Sequence, residues 1–143
     1  MKTVAHILAD KGSEVWSVSP NDTVYSALEL MASKGTGAVL VMDEGRLVGI
    51  LSERDYARKV ILLDRSSRDT PVADIMTARV SVVSPDMLTE ECMALMTDKR
   101  VRHLPVVDGD EVVGVISVGD VVKAAISERE FIIEQLERYI SGG

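Results

Sequence analysis

The segment Gly49-Ile50-Leu51-Ser52-Glu53-Arg54-Asp55 returns 65 residues later as Gly114-Val115-Ile116-Ser117-Val118-Gly119-Asp120. In each, a glycine and two apolar residues lead into Ser-x-x-Asp, a strand that runs into the opening of a helix. Working outward, the same offset aligns Ser19–Asp55 on Ser84–Asp120 without a gap. The matches include Ser19/Ser84, Pro20/Pro85, Met31/Met96, Lys34/Lys99, Val41/Val106 and Asp43/Asp108. Further upstream, Val4-Ala5-His6-Ile7-Leu8 pairs with Val72-Ala73-Asp74-Ile75-Met76 after a small length change. Self-similarity at a fixed offset marks one supersecondary unit used twice, and two copies fill nearly the whole chain.

Within a copy the elements are readable. Val15-Trp16-Ser17-Val18 alternates briefly before Ser-Pro and predicts a short strand ending in a turn. Asn21 or Asp22 is the expected cap of a helix carrying Val24, Ala27, Leu28 and Met31 at helical spacing, and Gly35 and Gly37 stop it. Ala38–Met42 and Leu47–Leu51 flank the turn Asp43-Glu44-Gly45 as a hairpin, and a second helix runs from Ser52 through Leu62. The second copy repeats this with a strand over Val80–Val83, a helix over Leu88–Met96, strands over Leu104–Val107 and Val112–Ile116, and a helix from about Ser117. Thr3–Leu8 and Val72–Met76 read as short lead-in helices.

The fold class is α+β, an α/β-type repeat of two motifs in the order strand-helix-strand-strand-helix. Half a chain of this size cannot bury its apolar face alone, so the motifs are expected to pack sheet to sheet with pseudo-two-fold symmetry. Residues 1–64 read as the first motif with its lead-in, 65–71 as a linker, 72–127 as the second motif and 128–143 as a C-terminal amphipathic helix. In that tail Phe131, Ile132, Leu136, Tyr139 and Ile140 share a stripe that either folds back on the core or makes a dimer contact.

Composition narrows the function. The chain has 143 residues, with 16 Lys+Arg against 23 Asp+Glu and a net charge of −7. That balance offers no broad positive field for DNA or RNA, although it permits a small anion in a local basic pocket. Aromatics are only 3 % of residues, too few for a base-stacking platform. One cysteine, Cys92, precludes an internal disulfide and fits a reducing compartment, and a core role is expected for it. The N-terminal apolar run is too short and interrupted for a signal peptide, and no stretch is long enough to span a membrane, so the expected location is cytoplasmic.

The paired Gly-apolar-apolar-Ser-x-x-Asp segments, together with Leu104-Pro105-Val106-Val107-Asp108, resemble the cystathionine-β-synthase (CBS) domain, and the whole chain resembles a tandem CBS pair, or Bateman module. The first copy has Val39-Leu40-Val41-Met42-Asp43 at the Leu-Pro position and lacks the proline. The resemblance implies a regulatory binding module rather than an enzyme. Its expected ligand contains adenine (AMP, ADP, ATP, NAD(H) or S-adenosylmethionine) and sits in two clefts between the copies. In such a cleft Asp accepts hydrogen bonds from the ribose hydroxyls and the Ser hydroxyl lies near phosphate. Elementary chemistry fits these roles: a helix N-terminus attracts anions, and a carboxylate can bridge a vicinal diol.

The resemblance implies that one cleft combines Ser52, Arg54 and Asp55 with Thr77, Val80, Ser81, Arg102 and His103. The other combines Ser117 and Asp120 with Val15, Trp16, Gly37 and Ala38. The first gathers Arg54, Arg102 and His103, which suits a phosphate. The second has Gly119 in place of Arg54, and Trp16 there either faces an adenine or fills the core. Ser52, Asp55, Ser117 and Asp120 also have a simpler reading as helix caps, and Met31, Met76, Met93 and Met96 as core filler. Gly35-Thr36-Gly37 lies between helix and strand, the reverse of a dinucleotide fingerprint, and there is no P-loop segment. With two histidines and Cys92 apart from both, neither a zinc site nor a Cys-His nucleophile is expected.

The expected function is sensing of an adenylate or nicotinamide-adenine state, with output through an unidentified effector protein, in a module that forms a homodimer. The alternative is a structural or protein-interaction module whose clefts are vestigial. An enzyme acting on nucleotides is the third reading, and it lacks a visible acid–base pair.

Overall fold

A computed structural model describes residues 2–141. In chain order the elements are α1 (Val4–Lys11), β1 (Ser17–Val18), α2 (Val24–Lys34), β2 (Ala38–Asp43), β3 (Arg46–Ser52) and α3 (Glu53–Tyr56), which runs on as a π-helical turn, Ala57–Ile61. There follow α4 (Val72–Ile75), α5 (Thr89–Lys99), β4 (His103–Asp108), β5 (Glu111–Ser117) and α6 (Val118–Ile140). The order strand-helix-strand-strand-helix holds for the first copy. In the second the opening strand shrinks to a single bridge.

The reason for that loss is one residue. In the first copy β1 runs parallel to β2, with Ser17 opposite Leu40 and Val18 opposite Val41, and Leu40 N–H donates to the Trp16 carbonyl at 3.0 Å. Pro105 stands at the position equivalent to Leu40 and has no N–H to donate. Only Val83 still pairs with Val106, its N–H donating to the Pro105 carbonyl at 3.0 Å and its own carbonyl accepting from Val107 N–H at 2.8 Å. The expected strand over Val80–Val83 is therefore one residue. The β2–β3 hairpin turns at Glu44 and Gly45, both at positive φ, the geometry of a two-residue loop that matches strand twist.

The chain divides into two compact units that do not follow the consecutive halves. Among the described residues, one comprises 2–13, 82–108 and 113–141, and the other 14–81 and 109–112. Each lead-in helix is packed with the sheet of the other repeat. In the second unit Ala73 N–H donates to the Pro20 carbonyl and Val72 N–H to the Asp22 carbonyl. In the first, Ala5 N–H donates to the Pro85 carbonyl and Val4 N–H to that of Met87, which are the equivalent bonds one repeat apart. The motif glycines allow this approach. A Cβ on Gly49 would lie 2.6 Å from Met76 Sδ, and one on Gly114 would lie 2.6 Å from Leu8 Cδ2. The core of the first unit contains Val4, Ile7, Cys92, Leu104, Val106, Ile116 and Val121, and that of the second Val24, Ala27, Met31, Val41, Leu51, Val72 and Ile75.

Other expectations are refined. Thr23, not Asn21 or Asp22, caps α2 by accepting from Ser26 N–H at 3.1 Å, because the Asp22 carboxylate is engaged by Ser19 N–H at 2.8 Å. The segment read as a linker is docked: the carbonyls of Thr70 and Ser67 accept from Val24 and Tyr25 N–H, so backbone fills the N-terminus of α2. Met31 and Met96 are buried as expected, Met76 packs at the core edge, and Met93 is exposed. The tail is not a separate helix, since α6 runs unbroken from Val118 to Ile140.

Candidate functional site

Each Ser-x-x-Asp turn folds as a reciprocal cap at the junction of a strand with a helix. At Ser52 the hydroxyl oxygen accepts from Asp55 N–H at 3.1 Å, while the Asp55 carboxylate accepts from Ser52 N–H at 3.0 Å. At Ser117 the same two bonds measure 3.2 Å from Asp120 N–H and 2.8 Å to the Asp120 carboxylate. Both carboxylates are thus fixed in one orientation, half-buried, at a helix N-terminus whose backbone dipoles favour negative charge. The helix cap and the carboxylate presentation that the resemblance implies are the same geometry.

A lysine stands at each carboxylate, and the two come from different places. Lys59 Nζ, one turn along from Asp55, lies 3.4 Å from Asp55 Oδ1 and donates to the Ile75 carbonyl at 3.0 Å. Ala124 occupies the equivalent position after Asp120. There Lys11, at the end of α1, places Nζ 2.6 Å from Asp120 Oδ2 and 2.9 Å from the Val115 carbonyl. In the first copy the equivalent carbonyl, that of Ile50, accepts instead from Thr77 N–H at 2.9 Å, and the Thr77 hydroxyl lies 3.4 Å from Asp55 Oδ1. Lys11 therefore stands where Thr77 stands in the other copy. The difference follows from helix length: α4 ends at Ile75 and lets the chain pair with β3, whereas α1 continues to Lys11.

The Asp120 carboxyl is held below its ordinary value of 3.8. Burial pushes it up, but the Lys11 hydrogen bond, the Ser117 N–H, the Lys11 charge and the Ser117 hydroxyl together outweigh that. Burial, helped by Glu91, pushes the Cys92 thiol up to about 11, which makes it an inert core group at neutral pH.

The other expected site residues divide between the units. Ser52, Asp55 and Thr77 are brought together in one, with Val80 and Ser81 half-buried in that same unit. Arg54 is exposed on the first turn of α3. Ser117 and Asp120 are joined in the other unit, as are Arg102 and His103, where the Arg102 carbonyl accepts from Val118 N–H at 2.8 Å. Gly37 and Ala38 show the equivalent relation to Ser52: Glu53 N–H donates to the Gly37 carbonyl at 3.0 Å and Ala38 pairs with Ser52. Gly37, Thr36 and Glu53 also border a cavity of about 300 Å³ whose apolar wall includes Leu28 and Met31. Val15 and Trp16 are half-buried; Trp16 packs against the core of its unit, with Lys34 Nζ 4.3 Å above its ring. Lys59 and Lys11 are the residues that motif reading missed. For Lys59 the i+4 spacing from Asp55 was a usable signal, while nothing local in the sequence points Lys11 at Asp120.

The CBS domain family model matches residues 5–62 and 72–127, one match per repeat. The chain belongs to the CBS-domain family. It is 39 % identical over 151 residues to the mitochondrial CBS domain-containing protein CBSX3 of Arabidopsis thaliana, covering 99 % of this chain and 73 % of that one. A CBS-domain protein structure from Burkholderia ambifaria superposes with a TM-score of 0.85 at 54 % identity, covering 88 % of this chain and 95 % of that one. The CBS pair of protein MJ0100, in complex with 5′-methylthioadenosine and S-adenosyl-L-methionine, shares the fold with a TM-score of 0.80 at 22 % identity, over 90 % of this chain and 98 % of that one. No described helix is long and apolar enough to cross a membrane, and no cluster of three or more His, Cys, Asp or Glu among the described residues could hold a metal ion.

Proposed function

We propose that this chain is a regulatory module that binds an adenine-containing ligand, of the class AMP, ADP, ATP, NAD(H) or S-adenosylmethionine, at the Asp55 and Asp120 turns. Ligand state passes to an effector protein, and two copies of the chain assemble as a homodimer in the cytoplasm. The observation that carries the reading is the duplicated carboxylate–lysine pair. Each Asp is oriented by its own Ser, and each has an ammonium group within 3.4 Å or less. A carboxylate suits a ribose diol and an adjacent ammonium suits a phosphate or another anion. Both ligands of the MJ0100 pair carry a ribose diol, the group that suits the carboxylate. On this reading the chain is a binding protein rather than a catalyst.

One observation favours the second reading, a structural or protein-interaction module with vestigial clefts. The Asp120 carboxylate already accepts from Ser117 N–H and Lys11 Nζ, so a ligand must compete for it. Calorimetry of the full chain with AMP, ADP, ATP, NADH and S-adenosylmethionine decides between them. Binding is expected, and Asp55→Ala and Asp120→Ala each weaken their own site by roughly 10–100-fold, about 1–3 kcal/mol. Absence of binding by all five ligands would establish the second reading instead.

A further inference from the structure

The C-terminal half of α6 lies outside the core. Val121 and Ala124 are buried, whereas every residue from Arg129 to Ser141 is exposed. Along this projecting helix Val122, Ile126, Arg129, Ile133, Leu136 and Ile140 recur at alternating spacings of four and three residues. That is the seam of a heptad repeat, and five of its six positions are aliphatic. Exposure reaches 54 % at Ile126, 55 % at Leu136 and 80 % at Ile140, and Ile132 and Tyr139 flank the seam, also exposed. A helix end with such a face is marginal alone in water and is stabilised by covering the face.

We infer that α6 pairs antiparallel with α6 of a second copy of this chain, about a two-fold axis level with residues 130–132. This rests on the homodimer reading above and names its surface. Three observations favour a second copy over another occupant. First, the seam is self-complementary when reversed: Val122 meets Ile140, Ile126 meets Leu136, and Arg129 meets Ile133 of the other copy. Second, the charges agree with that register. Lys123 comes opposite Glu137, and Arg129, the one charged seam residue, comes beside Glu130, which tempers the approach of the two Glu130 side chains at the axis. Third, the face is extensive: Ile126, Ile132, Ile133, Leu136, Tyr139 and Ile140 are each between 45 and 81 % exposed, large side chains that the identical face of a second copy would cover together.

Size-exclusion chromatography with light scattering on the full chain tests this, alongside disulfide trapping. The wild type is expected at twice 15.5 kDa, and Ile126→Glu and Leu136→Glu at 15.5 kDa with a cooperative melt retained and a far-ultraviolet signal reduced by no more than the projecting end of α6. Because both side chains are exposed, loss of the dimer without loss of fold is the readable outcome. Ile132→Cys should link to itself across the axis, as should the double variant Val122→Cys/Ile140→Cys between opposite ends. Ile140→Cys alone should not link, because 18 residues of helix at about 1.5 Å each separate it from the other copy's Ile140 by roughly 25–30 Å. A dimer that survives both glutamate variants overturns the α6 assignment and leaves the homodimer standing. A monomeric wild type overturns both. Efficient self-linking of Ile140→Cys overturns the antiparallel arrangement.

Discussion

Lys11→Met removes the ammonium at Asp120 while keeping most of the side-chain volume. The wild-type group makes a 2.6 Å ion pair to Asp120 and a 2.9 Å bond to the Val115 carbonyl. The two side chains are 37 % and 23 % exposed, so solvent screens the pair and its share is about 0.5–1 kcal/mol. The carbonyl bond contributes a similar amount, which makes the expected loss about 1–2 kcal/mol at pH 7, or roughly 4–8 °C in Tm. The pH dependence separates the two parts. The folded-state carboxyl of Asp120 is depressed below 3.8, so its stabilisation is complete above that value and is lost as pH falls through the lowered one. The bond to the Val115 carbonyl does not depend on the charge of Asp120. Thermal melts of wild type and Lys11→Met from pH 7 to pH 3, followed by circular dichroism, should show a difference that narrows as pH falls. A double-mutant cycle with Asp120→Asn isolates the ion pair. A variant as stable as the wild type at pH 7, or a difference that stays constant down to the lowest pH, would refute the reasoning.

Two further outcomes follow from the packing. Gly49→Ala puts a methyl group 2.6 Å from Met76 Sδ and 3.1 Å from the Thr77 carbonyl oxygen and should cost about 1–3 kcal/mol in urea denaturation, whereas Gly114→Ala meets only the movable end of Leu8 and should cost less. Gly119→Ala, whose nearest neighbour would be 3.6 Å away, should be nearly neutral, and equal tolerance at all three sites would argue against the close helix–sheet approach. Cys92 should resist an aromatic disulfide reagent at pH 8 at a rate set by unfolding, because burial and Glu91 raise its thiol to about 11. Its linkage has the opposite sense to that of Asp120: stability should fall as pH rises from about 9 towards 11, where only the unfolded thiol ionises. Rapid native-state labelling would contradict the buried placement.

What the sequence revealed, it revealed through local patterns repeated in register. The Ser-x-x-Asp turns, the hairpin at Glu44-Gly45 and the helical spacing of Val24, Ala27 and Met31 each follow from interactions within a few residues. Where a local rule had two candidates, three dimensions chose between them, as when Asp22 bonded Ser19 N–H and left Thr23 to cap α2. The Pro105 effect was legible in principle, since a missing donor in β4 weakens whatever lies parallel to it. The exchange of lead-in helices was not, because repeat order says which segments are equivalent and not which sheet each one joins. That is why Thr77 could be placed with Asp55 by family likeness while Lys11, 109 residues from Asp120, could not.

The two sites keep their charge balance while changing how it is achieved. Lys59 becomes Ala124 in the second copy, and the lost ammonium reappears as Lys11 on a helix one turn longer than its counterpart. The consequences for binding differ. At Asp55 the lysine belongs to the helical segment that carries the carboxylate and also donates to the Ile75 carbonyl at the end of α4, so engaging it costs one bond to that helix. At Asp120 the lysine anchors the C-terminal end of α1 through both the carboxylate and the Val115 carbonyl. A ligand that draws Asp120 or Lys11 into its own bonds therefore works against an anchor of α1, and by linkage whatever loosens α1 favours that ligand. Equivalent motifs thus tie each carboxylate to a lead-in helix by a different route: at Asp55 the lysine reaches out to the end of α4, and at Asp120 the end of α1 carries the lysine itself, an asymmetry that two identical copies could not produce.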